Sequence, residues 1–285
     1  MSLRQRVKST RVGTLGEIQS SLGEGREWIF RGQHCDCSLK TSLERACQNF
    51  SLPITSQKSL EEILLREFCR RAHHYEKNIP EDDDKIEWLS LMQHFGAPTR
   101  VLDWTYSPYI GIYFALERRA KEGNEAVLWA VDLRWAQNQI FSLISSLDRF
   151  KTLPDCCKEA IERFVIGSPS ARDKIIGATF LMDSSIKCAF PVTPYRLNER
   201  MTVQKGLFLC SANLDFTFEE NLCALSGFHE NIFNFVIAAE ARMPLLRELQ
   251  KMNVDRTTLF PGLAGFAQSL SVYHHSVESI IKQSR

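Results

Sequence analysis

The stretch from Gln93 to Glu117 constrains this chain more than any other, because it sets a helix, a strand and a second helix in close succession with turn residues between them. Gly96 and Pro98 stop a helix running from Lys85 to Gln93. Thr99 to Trp104 has the β-prone pattern of a short strand, and Ser107-Pro108 supplies an N-cap and first helical residue for the run Tyr109 to Lys121. His94, Asp103 and Thr105 therefore fall near element ends, where side chains can face a common cleft.

Around that stretch the chain alternates in the same way. Glu27 to Gln33 is a bulky β-prone run stopped by glycine, and Ala126 to Leu133 is nearly all apolar, as a buried central strand is. Helices are expected over Ser38 to Phe50 and Ser59 to His74 from their apolar spacing. Glu81-Asp82-Asp83-Asp84 opens the next helix, with negative charge at its positive dipole end. Arg134 to about Asp183 is mostly helical, broken at Gly167-Ser168, Pro154 and Pro169, and is expected to be an insertion or cover. Cys188 to Thr193, Val203 to Cys210 and Asn231 to Ala238 are further strands. Helices Ala239 to Met252 and Leu263 to Lys282 close the chain, joined by Asp255 to Gly262. Residues 1-23, with Arg4, Arg6, Lys8 and Arg11, read as a basic exposed arm and a short helix from about Gly16 to Leu22, leaving 24-285 as a single domain.

A net charge of +1 gives no bulk electrostatic reason to expect nucleic acid, although a local basic patch is compatible with it. No run approaches the ~20 apolar residues of a membrane helix. Nine cysteines without paired spacing and no apolar leader point to a reducing cytoplasm. His34-Cys35-Asp36-Cys37 lacks the second half of a structural zinc site and reads as a loop with incidental thiols, so no metal is expected.

Arg31 sits among apolar neighbours at a strand end and requires an anionic partner. Two accounts stand: an internal carboxylate or a helix C-terminus, or a phosphate held by the guanidinium fork while Gly32 lets a ligand approach the backbone. His94 divides similarly between fixing local structure and transferring protons beside Gln93, Arg100 and Asp103.

Phe30-Arg31-Gly32 is the triplet for which the FRG domain is named. The chain resembles that family further in Gln93-His94, Gly96, Pro98-Thr99-Arg100, Leu102-Asp103-Trp104-Thr105, Pro108 and Tyr113-Phe114-Ala115. Arg200, Gln204, Gly206, Phe208 and Leu259-Phe260-Pro261 complete the resemblance. More distantly, the order of motifs is similar to that of ADP-ribosyltransferases: a first strand ending in a Tyr-Arg-Gly or Trp-His-Gly type triplet, a strand ending in Ser-Thr-Ser before an aromatic-rich helix, and a late strand opened by the catalytic glutamate.

That likeness implies an α/β (α+β) fold with an ADP-ribosyltransferase-like split mixed sheet surrounded by helices. It also implies NAD as substrate, with ADP-ribose passed to a macromolecular acceptor or to water, and the family resemblance suggests a bacterial defence or toxin setting. Arg31, with Gly32 and Gln33, would hold the pyrophosphate. Thr105 or Ser107 would bond the ribose or support the cleft, and Trp104 or Tyr113 would stack on nicotinamide. The departure is at the E-x-E sites, which here are Gln204 and Gly206: an amide can bond a ribose hydroxyl but cannot offset a developing cation. Asp103, Glu117, Glu199 and Glu219 are candidates for the missing carboxylate, Asp103 first. Catalysis by Arg31, His94, Asp103 and Gln204 is the resulting expectation. Its rivals are an inactive nucleotide-binding or interaction module and a phosphodiester hydrolase using His94 and Asp103.

Overall fold

The computed structural model describes residues 3–35, 37–118, 125–167, 170–182 and 186–270. After a short 3-10 turn the elements run β1 (Lys8–Val12), α1 (Leu15–Leu22), β2 (Trp28–Gln33), α2 (Ser42–Asn49), α3 (Gln57–Ala72), α4 (Lys85–His94), β3 (Val101–Thr105), α5 (Pro108–Leu116) and β4 (Ala126–Asp132). Four helices follow, α6 (Leu133–Ser146), α7 (Asp148–Lys151), α8 (Asp155–Val165) and α9 (Ala171–Met182). Then come β5 (Ala189–Val192), α10 (Glu199–Val203), β6 (Gly206–Ser211), α11 (Phe218–Cys223), α12 (Phe228–Asn231), β7 (Ile232–Ile237), α13 (Arg242–Lys251), α14 (Arg256–Leu259) and α15 (Leu263–Ser269).

The strands form one mixed α/β sheet of seven in the order β1-β7-β4-β2-β3-β6-β5. Only β1 and β7 run parallel; the other pairings are antiparallel. All seven residues of β4 are buried, which its unbroken apolar run requires. Along it, Val127, Trp129 and Val131 enter one core, while Ala126, Leu128 and Ala130 enter the other. The first core packs α4, α6, α8 and α9, and the second α1, α5 and α13. Side-chain alternation along a strand produces this division: period-two residues share a face, so an interior strand feeds two helical layers.

The sheet is nearly divided in the middle. β2 pairs with β4 over six residues from Trp28 to Gln33, yet with β3 through Phe30↔Thr105 alone. Four strands on one side of this seam and three on the other are thus linked by a single register pair.

Local sequence explains the elements flanking the seam. Asp84 caps α4, accepting from the Glu87 amide, and Gly96 takes φ +81° just after that helix. Ser107 caps α5 and Pro108 occupies its first position. Helix α5 then lies directly on β2. A Cβ placed on Gly32 would come 2.0 Å from the Gly111 carbonyl oxygen and 2.3 Å from the Ala115 nitrogen, and one on Gly111 would come 2.9 Å from the Phe30 Cβ. The glycine of the Phe-Arg-Gly triplet is therefore demanded by helix-on-strand contact, whereas one of the two accounts open from the sequence gave it to ligand approach.

The basic N-terminal residues also differ from expectation. Lys8 to Val12 does not hang free as an arm but pairs with β7 along its length, with Arg4 and Arg11 both bonded to Glu125. Cys35 and Cys37, expected as thiols, are joined as a disulfide. The part of the expected last helix beyond residue 270 and the end of the run to Lys121 lie outside the described residues. Among the described residues, no helix is long and apolar enough to cross a membrane, and no group of three or more His, Cys, Asp and Glu could hold a metal ion.

Candidate functional site

Beyond the single pair Phe30↔Thr105, β2 and β3 part, and Arg31 reaches into the gap. Its Nη1 donates to the Asp103 carbonyl oxygen at 2.8 Å and stands 4.0 Å from the Asp103 carboxylate. The side chain is only 19% exposed, and its Nε is buried with no hydrogen-bond partner. A buried guanidinium N–H without an acceptor is costly, since each such donor forfeits a water it had in the unfolded chain. Burial lowers the Arg31 pKa, Asp103 opposes that and Arg45 adds to it; the group stays charged.

Asp103 is held from behind. Gln93 Nε2 donates to its carboxylate at 2.7 Å, while Gln93 Oε1 accepts from the Thr99 hydroxyl at 2.6 Å. Arg100 lies at the opposite end of β3 and serves the fold: its Nε meets Glu61 at 2.7 Å, and Nη1 donates to the Ser211 and Ala212 carbonyls. The central motif block therefore separates into a closed base and an open tip.

The facing wall comes from regions far apart in sequence. Gln204 ends α10; its carbonyl accepts from the Thr105 hydroxyl at 2.7 Å and its side-chain amide donates to the Leu259 carbonyl at 2.9 Å. Phe260 carries two guanidiniums over its ring, Arg200 at 4.8 Å and Arg256 at 4.4 Å from the centroid, and meets Phe114 edge-on. Arg256 binds Glu117 in a largely buried pair. In this way Arg200 to Gly206 and Leu259-Phe260-Pro261 converge on the helix that carries Tyr113-Phe114-Ala115.

Together these walls enclose a cavity of about 220 Å³ bordered by Arg31, Asp103, Gln204, Arg200, Glu117 and Arg118. Gly32, Trp104, Thr105 and His34 also border it. Asp103 faces Arg31 and Glu117 is neutralised by Arg256, so Arg118 and Arg200 leave the cavity with a positive excess. The Arg200 guanidinium makes no side-chain hydrogen bond among the described residues, which suits it, with Arg31 Nε, to an incoming anion. The volume is below the ~300–1,000 Å³ of pockets that enclose a whole drug-sized ligand, so it suits one phosphate and ribose or a ring, with the remainder of a larger molecule outside.

Other residues singled out in the sequence are engaged elsewhere. His94 is exposed at the end of α4, against Phe95, and does not border the cavity. Burial and the nearby Arg200 cation hold its imidazole below the ordinary pKa against a weaker pull from Glu76. Thr105 is 3% exposed, and its hydroxyl both donates to Gln204 and accepts from the Ser107 amide. Ser107 serves as the α5 cap. Tyr113 is buried in the core beside Phe114, its phenol pKa raised chiefly by burial. Gln33 accepts from the Trp129 indole at 2.8 Å. Trp104 is 3% exposed, its indole N–H buried without a partner. Among the carboxylates weighed, Glu219 accepts from the Leu3 and Leu39 amides and Glu199 is exposed on the first turn of α10.

Arg118 escaped the sequence reading, and Arg200 entered it only as part of a motif. Their signal lay in cations flanking aromatic motif residues, which acquires meaning only once Phe260 is placed beside Phe114. No curated protein and no solved structure matches the chain. The family model of the FRG domain matches residues 26–124, the segment holding both β2 with its Phe-Arg-Gly triplet and the whole block from Gln93 through α5, and this part of the chain is similar to that domain.

Proposed function

We propose that the protein binds NAD as a substrate in the seam between β2 and β3 and cleaves its nicotinamide–ribose bond, in the manner of an ADP-ribosyltransferase. The observation that carries this reading is the unpartnered, buried Nε of Arg31 at a cavity with excess positive charge. A diphosphate oxygen would satisfy that donor, and Arg200 and Arg118 would share the remaining charge. In the reaction, the electron pair of the breaking bond leaves with nicotinamide. The positive charge developing on the ribose is offset by the Asp103 carboxylate, which Gln93 holds in place. A nucleophile on a macromolecule or water then bonds to the ribose carbon and gives up its proton.

A second reading is favoured by Gln204, whose side-chain amide is already committed to the Leu259 carbonyl. With that position serving the fold, the same cleft would act as a binding module without turnover. Labelled NAD separates the two. Release of nicotinamide, lost in Asp103→Asn with NAD binding retained, supports catalysis. Stabilisation by NAD without release supports the module. Absence of both release and stabilisation overturns both readings. The hydrolase reading finds less support, because His94 stands outside the cavity.

A further inference from the structure

A second cavity, of about 340 Å³, lies under the helices that follow β4. Leu133, Phe164 and Leu207 give it an apolar wall, and Tyr106, Gln137 and Lys174 border it as polar points. None of these six residues borders the cavity containing Arg31.

Lys174, on α9, is 7% exposed. A lysine so buried is uncommon unless its charge is answered. Here its ammonium donates to the Thr193 carbonyl and faces the Tyr195 ring at 5.6 Å. No carboxylate comes within ion-pair distance among the described residues, although Asp84 and Glu87 act on it from α4 at longer range. An ammonium carries three donors, so two are left without a protein acceptor among the described residues. Gln137 adds an amide that makes no hydrogen bond among the described residues. A lysine serving only to staple α9 to the strand end would require the Thr193 contact but not an adjoining cavity with a second unengaged polar group.

We infer that this cavity is a ligand site for a small carboxylic acid with an apolar body. The carboxylate takes the spare Lys174 donors and the Gln137 amide, and the body lies against Leu133, Phe164 and Leu207. One negative charge suits the site better than two, because Asp84 and Glu87 already answer part of the ammonium's charge. At about 30 Å³ per water-sized unit, the volume accommodates on the order of ten non-hydrogen atoms. Straight-chain or aromatic acids the size of octanoate or benzoate meet that description.

Calorimetric titration of the full chain with octanoate and with neutral octanamide tests the assignment. Octanoate is expected to bind at least tenfold more tightly, and Lys174→Met to erase that preference while keeping the affinity for octanamide. No binding of octanoate, equal affinity for the two probes, or a preference that survives in Lys174→Met overturns it. Should Lys174→Met fail to fold, Gln137→Trp, at a half-buried position on the cavity rim, is expected to weaken octanoate at least tenfold, and unchanged affinity there overturns the assignment equally.

Discussion

The two ends of β3 treat a guanidinium in opposite ways. At the base, Arg100 is 2% exposed, bidentate on Glu61 and bonded to two backbone carbonyls. At the tip, Arg31 holds one carbonyl, stands at the limit of ion-pair distance from an Asp103 that is itself 58% exposed, and keeps a buried N–H with no acceptor. A site that only had to be stable would resemble the base, where each buried charge is paired and each polar group answered. The tip leaves bonding capacity unspent beside a cavity, and unspent capacity is what a ligand uses.

Breaking the base should have the largest effect. Arg100→Ala leaves Glu61 buried without its main partner and is expected to destabilise the fold by about 3–5 kcal/mol in urea denaturation. Arg100→Met with Glu61→Leu should recover most of the loss, and failure to do so would mean that the pair does more than answer itself. The same pair predicts an acid limb. Burial alone would raise the Glu61 carboxyl, but Arg100 and Lys85 hold it below its ordinary value. Its stabilising contribution is therefore complete above the unfolded carboxylate pKa of ~4.3 and is lost as pH falls through the lower folded value. Glu61→Gln should flatten that limb in melts recorded against pH.

Next comes Gly32→Ala, which forces a methyl group against the α5 backbone and should cost about 3 kcal/mol of stability, read by the same denaturation. A neutral result would reopen the ligand-approach account of this glycine. The smallest effect on stability is expected at the tip. Arg31→Met should change stability by no more than about 1 kcal/mol, since it removes an unsatisfied N–H together with one hydrogen bond. Stabilisation of the protein by NAD should nevertheless vanish. A large loss of stability with binding retained would place Arg31 with Arg100 and erase the contrast.

The architecture was legible where local chemistry dictates it. The stops at Gly96 and Pro98, the Ser107-Pro108 cap and the apolar run of β4 each fix an element from within its own residues. The strand Lys8–Val12 was not legible, because an edge strand with three exposed residues among its five carries no hydrophobic alternation to read. At the site, Arg31, Asp103 and Gln204 border one cavity. Thr105, Ser107 and Tyr113 stand close to it in sequence but spend their polar groups on the turn, the cap and the core. Distinguishing a motif residue that closes the fold from one that faces the cleft requires its hydrogen-bond partners, and residue order alone does not supply them.

The parallel pairing of β1 with β7 also bears on how the chain is made. Ser9 aligns with Asn234, so β1 waits for β7, the last strand of this sheet in chain order, before it has a neighbour. Gln204 waits in the same way for the Leu259 carbonyl, and Arg200 for Phe260. Contacts of such long sequence separation form late, because the loop they close must first be ordered. During synthesis the seam would thus exist well before its far wall does, and the cleft would become competent only when the C-terminal helices arrive.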